Sequence, residues 1–389
     1  MGYRFGAGRG TLKFMTRALL EQRVLRDVDV VARAGLDVET FLAEAMASIG
    51  RAVPHAAACV ALVDPSTLLL TGTLKFGALY GQDAHDHEWG LREYGDTEPT
   101  AFRELAHRAV PAVGTRLEDP GSARLNDFMR PRYGFTDELR VVMRDQGQVW
   151  GAAAMFRAGN DPAFTHAEVA LLSALSETFS IGLRLGLLSQ LGQAPQPPAC
   201  GPAVVIVGRD DAISSMSAGA EQRLSELKVT ETQAAATGLV AALVGAARRY
   251  ARGEEAHPPR ARVRTRTGMW FTLHASPMNA GNGHGTGDVV ITIDEARPPE
   301  IVPLVVAAFD LTERERAVTE RVLQGSDTKE IAAALHVSSY TVQDHLKSVF
   351  EKASVHSRRE LIARVYFDQY VPRMGTDVGP NGWFASTAS

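Results

Sequence analysis

Cysteine is nearly absent: the 389 residues contain two, Cys59 and Cys200. They lie far apart without metal-ligand spacing, which argues against a disulfide framework and fits a reducing compartment. A surplus of one charge is missing too. Lys and Arg number 41 against 45 Asp and Glu, a formal charge of −4, so any case for a nucleic-acid partner has to be local. No uninterrupted apolar segment of signal-peptide type occurs between Met1 and Asp27. The most apolar long stretch, Leu171 to Leu188, is broken by Glu177 and Arg184, so no membrane span is expected and the expected location is cytoplasmic. P-loop, metalloprotease helix, nucleophile elbow and paired zinc ligands are all missing, which argues against an enzyme. A phosphoacceptor receiver pattern is missing as well; whether a cofactor is bound is left open by the sequence.

What is present is a soluble globular composition, 45% apolar and 22% charged. The length exceeds one ordinary core and predicts about two to four domains. Three composition breaks divide it. Gln190 to Pro202 is a Pro/Gly/Gln stretch, Arg297 to Pro303 reads as a second stiff connector, and residues 372–389 read as a disordered tail.

Before the first break, Asp37 to Val53 has the apolar spacing of an amphipathic helix, with Phe41, Met46, Ile49 and Val53. Strands are expected at Ala57 to Val63 and Leu68 to Leu74, joined at Asp64-Pro65-Ser66, and at Leu139 to Arg144 and Val149 to Arg157, joined at Asp145-Gln146-Gly147. A long loop region separates the pairs. Thr165 and Glu168 stand at capping-box spacing before a long helix striped by Leu172, Leu175, Phe179, Leu183 and Leu187. This pattern resembles a GAF domain, which implies an antiparallel sheet flanked by helices and a role in small-molecule sensing or dimerisation. The ligand stays unknown.

Residues 203–296 resemble, more loosely, a PAS domain. A strand begins at Val204, a helix is expected at Leu239 to Tyr250, and Arg260, Arg262, Arg264 and Arg266 alternate with smaller residues as on a half-exposed strand. Trp270 to Ala275 and Val289 to Ile293 are expected to pair across the Gly281–Gly285 loop.

From Phe309 the pattern becomes helical throughout. Thr312 and Glu315 form one capping-box pair, and Gly325 stops that helix. Asp327 and Glu330 open a second helix to Leu335. Ser338 caps a third over Ser339 to Lys352, and Ser357 with Glu360 caps a fourth ending near Tyr370. Two short helices on a tight turn suggest a helix-turn-helix with the second as reader. On the third helix Val342, Leu346, Val349 and Phe350 share the inward face, leaving Tyr340, Gln343, Asp344, Lys347 and Ser348 outward. Lys347, Lys352, Arg358, Arg359 and Arg364 outnumber Glu351 and Glu360, the local surplus that phosphates attract.

Four motifs in register carry a close resemblance to LuxR/FixJ-type DNA-binding domains: Leu311-Thr312-x-Arg314-Glu315, Gly325-x-x-x-Lys329-Glu330-Ile331-Ala332, Val337-Ser338-x-x-Thr341-Val342-x-x-His345, and Lys352-x-x-Val355-x-Ser357-Arg358. The resemblance implies base and phosphate contacts from Ser339, Tyr340, Gln343, Asp344, Lys347 and Ser348, and backbone contacts at Lys329, Thr341 and Arg358. Gln343 stands where the family often has Lys or Arg, and Ala353-Ser354 where it often has Leu-Gly. The resulting expectation is a multidomain α+β chain. A GAF-like domain (1–190) and a PAS-like domain (203–296), each an antiparallel-sheet sensor, precede an all-α four-helix helix-turn-helix domain (308–371). The expected function is transcription regulation under an unknown small-molecule ligand, with double-stranded DNA as partner. RNA polymerase contact is the alternative, and a GAF-domain enzyme a weaker one.

Four further features have plainer readings. His85-Asp86-His87-Glu88 reads as a polar loop tip more readily than as metal ligands. Gly6-x-Gly8-x-Gly10 lacks the strand-to-helix setting of a nucleotide site. The Arg260–Arg266 alternation reads as a solvated face. The stripe along residues 165–191 is core first and, beyond that, the expected seam of a homodimer.

Overall fold

The computed structural model describes residues 8–189, 203–227, 235–265, 268–280 and 285–367. The 190–202 linker, the tail from 372, and most of the 281–285 glycine loop lie outside the described residues.

Two helices lead in, α1 (Gly8–Ala32) and α2 (Val38–Ile49). The second starts where Asp37 accepts the Thr40 amide at 3.0 Å; α1 was not expected from the sequence. The first sheet comprises β1 (Ala57–Val63), β2 (Leu70–Gly77), β3 (Ala112–Gly114), β4 (Phe135–Asp145) and β5 (Gln148–Ala158). It is antiparallel, in the order β2-β1-β5-β4-β3. Gln146 (φ 47°) and Gly147 (φ 78°) both take the left-handed conformation that a two-residue hairpin requires.

The expected long loop region instead carries short helices. These are α3 (Asp86–Gly95), α4 (Phe102–His107), α5 (Thr115–Glu118), a π-helical turn Arg124–Met129, and α6 (Arg130–Tyr133). An aromatic cluster of Trp89, Phe128, Tyr133, Phe135 and Phe156 and a set of buried ions together hold them. Arg124 pairs with Glu98 at 2.6 Å and Glu138 at 2.9 Å, and Arg140 pairs with Glu93 at 2.7 Å and Glu138 at 2.9 Å. The 85–88 cluster is not a loop tip: it opens α3, where Asp86 is buried against Lys75 at 2.5 Å and Glu88 pairs with Arg92 and Arg132. Among the described residues no group of His, Cys, Asp and Glu is placed to hold a metal.

Helix α7 (His166–Ser189) begins on the expected capping box. Glu168 Oε2 accepts the Thr165 amide at 2.8 Å, and Thr165 Oγ1 accepts the Glu168 amide at 3.3 Å. Its stripe residues Leu172, Leu175, Phe179 and Leu183 are buried in the chain's own core, with α1, α2 and the first sheet around them. Gly182 and Gly186 leave no room for a Cβ against Phe41 and Val38 of α2. The stripe is thus core within one chain, its first reading, while Leu185 and Leu187 stay half-buried. By length and composition α7 could also cross a membrane, contrary to the sequence reading, but 61% of its apolar window is buried inside the protein, as in a core helix.

The second sheet holds β6 (Ala203–Val207), β7 (Ile213–Met216), β8 (Arg260–Arg264), β9 (Trp270–Asn279) and β10 (Gly285–Glu295), ordered β7-β6-β10-β9-β8. Helices α8 (Ala218–Glu226) and α9 (Ala235–Ala251) accompany it. Leu239, Leu243 and Val244 of α9 share a core with Val205, Phe271, Leu273 and Ile291. Neither β7 nor α8 was expected; all four β7 residues are exposed, so it has no apolar alternation to read.

The two sheets are pinned together at Asp64, in the β1–β2 turn. Its carboxylate accepts Arg262 Nε at 2.8 Å and Nη2 at 2.5 Å, with both residues buried. Burial pushes this carboxyl up, but the bonds and charge of Arg262 together with the bonds from Ser66 outweigh it and hold it below the ordinary value. Arg262 therefore corrects the solvated-face reading.

Residues 297–303 are not a connector. Helix α10 (Pro298–Ala308) starts on two prolines, which the first turn tolerates because its amides need no helical partner. Its Ile301, Leu304 and Val305 join the core that holds α7. Four further helices follow: α11 (Glu313–Leu323), α12 (Thr328–Leu335), α13 (Ser339–Lys352) and α14 (Arg358–Ile362), the last continuing as a π-helical turn Ala363–Phe367.

Candidate nucleic-acid interface

The start of each terminal helix is fixed by its own sequence. Thr312 and Glu315 bond reciprocally at α11. Asp327 accepts the amides of Lys329 and Glu330 at 2.7 and 2.9 Å while Glu330 accepts that of Asp327 at 2.7 Å. Ser338 accepts the Thr341 amide at 3.0 Å, and Ser357 that of Glu360 at 3.2 Å. His336 (φ 54°) ends α12 in the left-handed conformation and turns the chain into α13. Val318, Ile331, Val342, Leu346, Val349 and Leu361 close the small core. The outcome is two helices at a tight turn, with one face of α13 packed on α11 and α12 and the other exposed.

On α13, Ser339, Tyr340, Gln343, Asp344 and Lys347 are exposed, Tyr340 by 76%. Lys329 is exposed on the first turn of α12, and Thr341 is half-buried, its hydroxyl 2.9 Å from that of Ser338. These residues form one surface, uncovered by the rest of the described chain.

Two of the expected contact residues sit elsewhere. Ser348 shares a flank of α13 with Thr341 and His345, and α11 closes that flank. Its hydroxyl donates to Glu315 at 2.6 Å, so it does not point outward. Arg358 is half-buried and donates to Ser326 O and Thr328 Oγ1, both at 2.9 Å. It clamps α14 to the turn before α12. Gln343 Nε2 reaches the same Thr328 hydroxyl at 3.4 Å. Ser326 and Thr328 thus organise the surface without having stood out in the sequence, and Glu315, legible there as a capping-box and motif residue, adds the bond to Ser348.

Glu315 also accepts Lys352 Nζ at 2.7 Å. Burial pushes this carboxyl up, but the bonds from Lys352, Ser348 and Thr312 outweigh it and bring it to about 2, below the ordinary 4.5. A depressed folded-state value means the stabilisation is complete above pH 4.5 and disappears as pH falls through about 2. Circular dichroism melts across that window should therefore show a steeper loss of terminal-domain stability in the parent than in Glu315→Gln. Equal slopes would remove Glu315 from the account.

Ser354 stands where a glycine was expected, and the backbone explains why: its φ is 52°. A side chain in the left-handed region is strained, so Ser354→Gly should stabilise the domain by about 0.5–1 kcal/mol. An unchanged urea midpoint would show that the strain is relieved elsewhere.

The geometry defines a helix-turn-helix module of the DNA-binding class. Residues 310–365 match the model of the family described as bacterial regulatory proteins, luxR family. The chain is 38% identical over 55 residues to the spore germination protein GerE of Bacillus subtilis, covering 14% of this chain and 74% of that one. It therefore belongs to the LuxR family of bacterial regulatory proteins. It is also 42% identical over 67 residues to the transcriptional regulatory protein DesR of Bacillus subtilis, covering 17% of this chain and 34% of that one. The chain spans only 25% to 39% of the length of the other curated relatives that it matches. Among solved structures, Escherichia coli SdiA aligns over 90% of this chain and 95% of its own, at 10% identity and TM-score 0.30. A GAF domain from a Coxiella burnetii phosphotransferase aligns over 42% of this chain and 91% of its own, at 15% identity and TM-score 0.27. Likeness at these scores does not establish a shared fold.

Proposed function

We propose that this chain is a sequence-specific transcription regulator whose DNA binding is controlled by a small molecule sensed in residues 1–296. The observation that carries the reading is the capped, uncovered face of α13, with Gln343 and Lys347 exposed beside Lys329. Gln343 would read a base edge in the major groove, adenine being its best partner, while Lys329 and Lys347 would meet phosphates. Arg358 and Ser348 would hold the surface in shape. The first sheet with α7 supports a GAF-like sensor and the second with α9 a PAS-like one, since each is a five-stranded antiparallel sheet with its second strand at one edge. One reading helix selects only a few base pairs, so two copies on related half-sites are expected. The site of action would be the bacterial cytoplasm, where the chromosome lies.

The test is selection of genomic fragments by the full chain, followed by anisotropy titrations at increasing salt. Enrichment of a shared motif, with affinity falling steeply as salt rises, is the expected result. No preference over random DNA, or a flat salt response, would overturn the reading and favour a terminal domain that works through protein contacts such as RNA polymerase.

A further inference from the structure

Helix α10 leads into the DNA-binding head, and contacts at both of its ends fasten it to the sensory region. At its first turn, Arg262 of β8 donates Nη1 to Glu300 O at 2.8 Å. The same guanidinium donates Nε to Asp64 at 2.8 Å and Nη2 to Ser66 Oγ at 2.8 Å, both in the β1–β2 turn. One buried side chain thus joins the first sheet, the second sheet and α10. Just past the last turn, Asp310 Oδ1 accepts Arg184 Nη1 at 2.8 Å and Gln146 Nε2 at 2.7 Å. Arg184, on α7, is itself held by Asp145 at 3.0 Å. The Asp310 carbonyl accepts Lys352 Nζ of α13 at 3.0 Å, so this residue ties the β4–β5 hairpin and α7 to the reading helix. Between the two ends, Ile301, Leu304 and Val305 are buried in the core shared with α7 and the head.

What such a joint does follows from its length set against the geometry of DNA. Helix α10 has 11 residues and spans roughly 16 Å as a rigid rod. A flexible segment of about ten residues would instead spread over roughly 16–19 Å from end to end. Lengthening a site by five base pairs moves one half-site by roughly 17 Å and turns it to the opposite side of the duplex. Two heads on flexible segments would tolerate that change, whereas two heads on fastened rods cannot follow it. The backbone at Asp310 agrees: its φ of 60° is strained for a residue with a side chain, a state that persists where surrounding contacts over-determine it.

Resting on the reading of this chain as a regulator that binds two related half-sites, we infer that the fastened α10 sets which half-site spacing the paired chains accept, with Arg262 and Asp310 as its positioning residues. The sequence of each half-site is read by α13, and the distance between them is set by the joint behind it.

The full chain is tested on DNA carrying two copies of its selected half-site at spacings varied over two helical turns. The parent should favour one spacing by about tenfold or more over the same site lengthened by five base pairs. Asp310→Gly suits the left-handed backbone, removes both side-chain bonds, and should bring that preference to about threefold or less. Asp64→Asn combined with Arg262→Met removes the buried pair together, leaves no lone charge inside, and should act in the same direction. Gln146→Asn, exposed and also on left-handed backbone, is too short to reach Asp310 and should give part of the effect. In all of these, anisotropy on a single half-site should stay within about twofold of the parent, because the changes lie away from the reading face. That readout separates a lost joint from a lost fold; if the combined variant does not fold, Asp310→Gly and Gln146→Asn decide alone. Parental spacing preference in Asp310→Gly, beside intact half-site binding, would overturn the inference and place spacing in contact between the heads. A parent that accepts all spacings equally would overturn it too. Absence of any preferred half-site sinks the regulator itself, while unchanged spacing beside an intact half-site motif sinks only the joint.

Discussion

Arg140→Ala should destabilise the first domain by about 3–5 kcal/mol, the cost of leaving buried charges unpartnered. The side chain is fully buried, donates to both oxygens of Glu93 at 2.7 Å and to Glu138 at 2.9 Å, and lies 3.7 Å over the Phe102 ring. Its removal leaves two interior carboxylates short of a cation, and Arg124 cannot serve both. Arg140→Met, which keeps most of the volume, should cost nearly as much, because charge and not packing is lost. Adding Glu93→Gln to Arg140→Met should recover part of the loss. Urea unfolding followed by near-ultraviolet dichroism measures all three. A cost below about 1 kcal/mol for Arg140→Ala would mean that water reaches the cluster.

At the DNA surface, Gln343→Ala should weaken binding to the cognate site by about 1–3 kcal/mol and relax one position of its motif. Lys329→Ala should weaken binding to every sequence and lower the salt slope by about one unit. Gln343 rests near the Thr328 hydroxyl at 3.4 Å, a long contact that costs little to leave, so the amide is available to a base. Selection on randomised DNA for both variants, with salt titrations, separates the roles. Identical behaviour of the two would show that the division between reading and anchoring is wrong.

The terminal domain was the most legible part of the chain because its information is local. Thr312, Asp327, Ser338 and Ser357 each meet partners two or three residues away, so spacing alone locates the helix starts. The packing of Ser348 and Arg358 was hidden for the opposite reason: their partners, Glu315, Ser326 and Thr328, lie about thirty residues distant. The hairpin at Gln146-Gly147 and the Thr165–Glu168 cap were legible on the same local grounds. Helices α3 to α6 were not, since they are short and are placed by long-range contacts, the Arg124 and Arg140 ion pairs and the cluster of Trp89, Phe128, Tyr133 and Phe156. The Arg262 side chain looked like one more exposed base in an alternating strand until Asp64, 198 residues away, took it inside. Prolines misled at α10, where the same residues that stop a helix also suit its first turn.

The DNA-binding head has no slack tether at its entrance. Ile301, Leu304, Val305 and Phe309 belong to one apolar core with Leu183 and Leu188 of α7 and with Val318 and Val342 of the head. Asp310 adds contacts to Arg184 at 2.8 Å and to Gln146 at 2.7 Å. Any transition that swings the head away must wet this core, and newly wetted apolar surface raises heat capacity. The enthalpy of such a transition would then change with temperature, and the balance between its two states would shift between a cold culture and a warm one.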